Sequence, residues 1–197
     1  MSIAVFASGN GSNFQAIVER AQQEKWPQPV SLLICDQPKA KALQRAEKFN
    51  IPSQVIDFKQ FSSKVAYEKK ILTYLKQYQI EWIVLAGYMR LIGPTILDEY
   101  EGRIVNIHPS LLPAFPGLNA VEKAFTYPVK ISGVTVHFVD EGMDTGPIIA
   151  QEAVSIEEHD TLESFETKIH QVEHRLYPEV VLQLIQGKIQ YKRRRDE

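Results

Sequence analysis

The sequence predicts an α/β fold: a single Rossmann-like domain with a mostly parallel central sheet, helices on both faces and an antiparallel C-terminal extension of the sheet. Three observations carry this expectation. Between residues 3 and 107, short β-rich runs alternate with stretches of helical period, the order that builds a parallel sheet with crossover helices. Beyond them, runs 133–139 and 147–154 flank one acidic turn and could pair antiparallel. With 197 residues, 22.5 kDa and 44% hydrophobic side chains, the chain fits one domain that buries a core without staples or metals.

Taken in order, residues 3–7 are wholly apolar, as a strand buried on both faces requires, and a helix follows over 13–24. Residues 30–35 repeat the strand pattern, 40–49 the helical one, and 54–57 form a third short strand. The periodicity then predicts a helix over 63–78, in which Tyr67, Tyr74 and Tyr78 form a packed stripe and Lys69 and Lys70 a solvated face. Strand 82–85, a short helix opening at Pro94 and strand 103–107 complete the parallel part. A proline-rich loop, a short helix over 120–125, the two runs above and a long helix over 161–186 close the chain. There is no internal repeat or low-complexity linker.

Composition excludes several classes. Lys plus Arg total 22 against 24 acidic residues, so no broad basic field attracts nucleic acid, and the locally basic tail, residues 192–195, reads as a solvated end. The start of the chain is too short and too uncharged for a signal peptide, and no apolar run approaches a membrane span. The lone Cys35, inside an apolar run, reads as a small buried hydrophobe and argues against a disulfide scaffold. A cytoplasmic protein is expected.

The chemistry concentrates at strand ends. Ser8, Gly9, Asn10, Gly11, Ser12 and Asn13 follow the first strand and open a helix, so their small side chains let backbone N–H groups turn toward a phosphate. A dinucleotide fingerprint would need glycine where Phe14 stands, although Asp36 at the end of the second strand could hold a ribose. Asn106 and His108 share one face of the fifth strand, where an amide and an imidazole could stabilise a tetrahedral oxyanion. The acidic turn Asp140, Glu141, Gly142, Met143 and Asp144 needs no function as a turn, but folded beside His108 it would let Asp144 pair with an imidazolium. On the last helix His170, Glu173 and His174 match the H-x-x-E-H spacing of a zinc hydrolase, without an evident third protein ligand. His137 and His159 read as structural and solvent-exposed, respectively.

The loop 9–13, the segment 86–92, the stretch 106–113 and the turn 140–147, in this order and spacing, resemble the phosphoribosylglycinamide formyltransferase family over essentially the whole chain. The resemblance implies one formyltransferase domain over 1–197: a phosphate-binding half to about residue 100, a folate and catalytic half over about 101–190, and the basic tail 192–197. It implies formyl transfer from 10-formyltetrahydrofolate to the amine of glycinamide ribonucleotide in purine biosynthesis, with Asn106, His108 and Asp144 catalytic. Gly11, Ser12 and Asn13 would hold the phosphate and Glu173 the ribose. The folate would lie against Met89, Arg90, Leu91 and Ile92, Asn106, and Asp140, Glu141, Gly142, Met143 and Asp144, with Lys64 toward its carboxylate tail. Lys64 departs from the arginine of well-known members and replaces a bidentate grip with a point charge. Neither metal, nucleic acid nor membrane is implied, and a homodimer is left open. The H-P-S-L-L-P and D-T-G signatures also occur in methionyl-tRNA formyltransferases, which, with formyltetrahydrofolate hydrolysis, stand as alternatives.

Overall fold

The computed structural model describes residues 2–127 and 129–192. Lys192 is exposed, and the remaining residues of the expected basic tail lie outside the described ones. Seven strands form one sheet: β1 (Ser2–Ala7), β2 (Val30–Cys35), β3 (Ser53–Val55), β4 (Ile80–Leu85), β5 (Ile104–His108), β6 (Ile131–Phe138) and β7 (Ile148–Ser155). Their order is β3-β2-β1-β4-β5-β6-β7. The first five pair in parallel, and β6 and β7 add antiparallel, as the alternation of patterns predicts.

The helices are α1 (Ser12–Gln23), α2 (Lys41–Lys48), α3 (Lys64–Gln77), α4 (Pro94–Leu97), α5 (Ala120–Thr126) and α6 (Leu162–Ile185). Strand β1 shows why both faces need cover. Its Ile3, Val5 and Ala7 point into a core closed by α1, α2, α5 and α6, while Ala4 and Phe6 point into a second core closed by α3 and α4. The third strand is shorter than the pattern suggests because Asp57 caps a 3₁₀ turn, Phe58–Gln60, by accepting the Lys59 N–H.

Two features of this frame place the site. Strand order reverses between β1 and β4, so the loops leaving their carboxyl ends open a crevice. Helix α6 is then locked to that end of the sheet by Tyr177, fully buried, whose hydroxyl lies 2.8 Å from the Leu85 carbonyl and 3.1 Å from that of Val105. Glu173, one turn earlier, is thereby held over the crevice.

Candidate functional site

A cleft of about 570 Å³ opens at the strand reversal. One end is the loop after β1. Gly11 precedes α1 in the left-handed conformation (φ 73°) and offers no side-chain cap, so the first-turn N–H groups of α1 stay available to an anion. A Cβ at Gly11 would lie 2.7 Å from the Ala42 Cβ. Gly11→Ala combines a left-handed backbone with a steric clash and should destabilise the fold by about 2 kcal/mol. It should also weaken binding of a phosphorylated ligand, and urea unfolding and titration calorimetry would measure the two effects.

Beside this loop, Asn13 Nδ2 donates to Glu173 Oε2 at 3.0 Å, which leaves Asn13 Oδ1 buried without a hydrogen-bond partner. Burial raises the Glu173 pKa, opposed by the Asn13 hydrogen bond and by His170. A polar pair thus lines the cleft next to the helix terminus.

At the centre, β5 delivers Asn106 and His108, and the antiparallel register of β6 sets His137 opposite Asn106. Asn106 Nδ2 lies 3.2 Å from His137 Nε2, and His137 Nδ1 donates to the Phe138 carbonyl at 2.8 Å. His137 Nε2 thus faces both the Asn106 amide and the Asp144 carboxylate. Asp144, in the left-handed conformation (φ 57°), turns its carboxylate into the same space. Its Oδ2 accepts the Gly117 N–H at 2.8 Å and lies 3.4 Å from His108 Nδ1, while its Oδ1 is 3.7 Å from His137 Nε2. His137 first, then the Gly117 N–H and His108, outweigh burial and hold the Asp144 carboxyl at about 2. His108 Nε2 lies 2.9 Å from the Phe115 carbonyl. A carbonyl only accepts, so both His108 nitrogens face acceptors.

The other wall is apolar. Exposed Met89, Leu91, Leu118 and Met143 line the cleft with Ile92, which is buried. The Met89 N–H donates to Ser8 Oγ at 2.9 Å. Arg90 donates through Nε to Asp36 Oδ2 at 2.8 Å and lies over the Phe58 ring at 4.6 Å. Asp140 Oδ1 accepts from the Gly142 N–H and the Thr145 hydroxyl, which shapes the turn leading to Asp144. The structure therefore brings together Gly11, Ser12, Asn13, Glu173, Met89, Arg90, Leu91, Ile92, Asn106, His108, Asp140, Gly142, Met143 and Asp144. Lys64 and Glu141 do not line the cleft: Lys64 opens α3 with its Nζ 4.0 Å from Glu68 Oε1, and Glu141 is exposed on the outside of its turn.

Residues 1–181 match the formyl transferase family model. Over 182 residues the chain is 58% identical to the phosphoribosylglycinamide formyltransferase of Bacillus subtilis (strain 168), covering 92% of this chain and 93% of that one. The chain belongs to the phosphoribosylglycinamide formyltransferase family. Solved structures of that name agree: the protein from Bacillus halodurans superposes with a TM-score of 0.92 at 57% identity, covering 96% of this chain and 97% of that one. The glycinamide ribonucleotide transformylase 1 from Symbiobacterium toebii gives 0.95 at 40% identity, covering 99% and 92%. The human trifunctional purine biosynthetic protein adenosine-3 is 35% identical over 95% of this chain, which spans 19% of its length.

In this member of the phosphoribosylglycinamide formyltransferase family, the competing motifs have other duties. Asp36 is engaged by Arg90 instead of facing a ribose, and Phe14, fully buried, packs in the core where a dinucleotide fingerprint would need glycine. On α6 the His170 and His174 rings stack with centroids 6.1 Å apart, Glu173 turns to Asn13, and the described residues hold no group of three His, Cys, Asp or Glu able to hold a metal ion. His137, read from the sequence as structural, is buried and hydrogen-bonded inside the polar cluster. Its spacing along an apolar strand carried no sign of this, since only the β5–β6 register places it beside Asn106. The Phe115 carbonyl and Gly117 N–H, both backbone groups, had no side-chain signature at all.

Proposed function

We propose that the cleft transfers the formyl group of 10-formyltetrahydrofolate to the amine of glycinamide ribonucleotide. The products are N-formylglycinamide ribonucleotide and tetrahydrofolate, and the chain is a folate-dependent formyltransferase of purine biosynthesis. The observation that carries this reading is the convergence of Asn106, His108 and Asp144 between a helix N-terminus and an apolar wall. Phosphate sits on the N–H groups of residues 11–13 and the ribose beside Glu173, while the pterin lies along 89–92 and the turn 140–144. The cleft thus draws on both halves of the chain, because 89–92 precedes residue 100.

The neutral amine attacks the formyl carbon, whose oxygen becomes an oxyanion. Asn106 donates an amide N–H to that oxygen, with His137 Nε2 3.2 Å from the same amide nitrogen. His108 donates from Nε2, exchanging the Phe115 carbonyl for the oxyanion, and Asp144 balances the charge of the ring. The carbon–N10 bond then breaks, and the proton lost by the amine passes to N10. No covalent enzyme intermediate is needed. We place this reaction in the cytoplasm, in keeping with a single buried, unpaired cysteine, Cys35.

Purified protein mixed with glycinamide ribonucleotide and 10-formyltetrahydrofolate should give the formylated ribonucleotide by mass spectrometry. Formylation of methionyl-tRNA instead would overturn the acceptor, and release of formate without an acceptor would make the chain a hydrolase.

A further inference from the structure

We propose that Glu68 is a positioning residue for the folate: its carboxylate clamps the end of the segment 88–93 and holds that segment in its folate-binding shape. The inference rests on the reading of 89–92 as the folate wall. Glu68 lies on α3, the helix whose Tyr67, Ile71, Leu72 and Leu75 fill the second core, and it is 2% exposed. Its Oε1 accepts the Gly93 N–H at 2.6 Å. An acid placed so deep needs partners, yet among the described residues the cation paired with it is Lys64, 4.0 Å away on an exposed side chain.

Gly93 shows how close the clamp is. A Cβ there would lie 2.7 Å from Glu68 Oε1, 2.9 Å from Oε2 and 2.7 Å from Lys64 Cε, so the carboxylate lies against bare backbone. Because the Gly93 φ of −104° suits any residue, contact with Glu68 and Lys64 is what excludes a side chain. Helix α3 also grips the start of the segment, where the Tyr67 and Tyr88 hydroxyls are hydrogen-bonded. Between these ends, Ser8 receives the Met89 N–H and Asp36 holds Arg90. The segment is therefore preformed, held at both ends by α3 and between them by Ser8 and Asp36. Folate should meet a wall that needs no ordering, which favours affinity over turnover.

The test is a KM-against-kcat split in the full-length enzyme. Glu68→Met keeps an unbranched side chain of similar length and removes the acceptor; it should raise the KM for 10-formyltetrahydrofolate about tenfold, with kcat and the KM for glycinamide ribonucleotide within about twofold. Glu68→Gln retains an acceptor oxygen and should restore most of the affinity. Gly93→Ala pushes the carboxylate off the backbone and should reproduce the folate effect, which keeps the proposal testable if Glu68→Met fails to fold. An unchanged folate KM in folded Glu68→Met or Gly93→Ala, or an equal rise in both KM values, overturns the clamp. Leu91→Ala separates the two levels: it should raise the folate KM on its own, and if it does not, the folate wall itself is misplaced and the clamp falls with it.

Discussion

Replacing His108 by alanine should lower kcat by about two orders of magnitude or more, while both KM values stay within a few-fold. The imidazole is 5% exposed and braced on both nitrogens, by the Phe115 carbonyl at 2.9 Å and by Asp144 at 3.4 Å. A donor braced in that way costs little reorganisation when charge develops on the formyl oxygen, and the oxygen becomes a full acceptor only in the transition state. Removal of one such donor typically costs a factor of about 10² to 10³. The effect belongs in kcat because the ground-state carbonyl gains little from the same contact. Steady-state kinetics on folded variant protein checks this, and turnover within tenfold of the parent enzyme would remove His108 from the reaction.

Asp144→Asn should have a comparable effect on turnover, about two orders of magnitude, because it removes the charge that balances the imidazolium and leaves an amide of similar size. It also makes a pH prediction. With its carboxyl held at about 2, Asp144 stays ionised through any neutral or mildly acidic assay, so an acidic limb in kcat/KM with a midpoint above pH 4 belongs to another group. Stability follows the same direction as catalysis, since both rest on the ionised carboxylate. A carboxyl whose folded pKa lies below its ordinary value of 3.8 stabilises the fold above about pH 4, and that contribution is lost as the pH falls through about 2. Asp160, held low by Lys168, titrates over the same range, so the Asp144 share is the difference between parent and Asp144→Asn. Urea unfolding at a series of pH values should show the variant losing less stability than the parent between pH 4 and pH 2; equal losses would mean that Asp144 is not paired as the geometry indicates.

Much of the architecture was readable before any coordinates. A run such as residues 3–7, apolar at every position, has to lie inside a sheet covered on both faces, and the helical periods that follow supply the cover. Asn106 and His108 could be paired from strand geometry alone, because alternate side chains on one strand share a face. The run of small residues between the first strand and helix predicted a loop whose backbone N–H groups turn inward, and Gly11 in the left-handed conformation leaves the first-turn donors of α1 uncapped.

What the sequence determined by itself was therefore what depends on neighbours a few residues apart: the order of elements, the glycine-rich turn before the first helix and the polar residues carried on local motifs. Tertiary structure alone decided the rest. It set His137 beside Asn106 through the β5–β6 register, gave Asp36 to Arg90, aimed the Phe115 carbonyl at His108, and closed Glu68 on Gly93. The physical reason is range. Strand and helix patterns follow from steric and solvation effects within a few residues, whereas buried polar groups must find partners wherever packing brings donor and acceptor together, and those partners are distant in sequence or belong to the backbone.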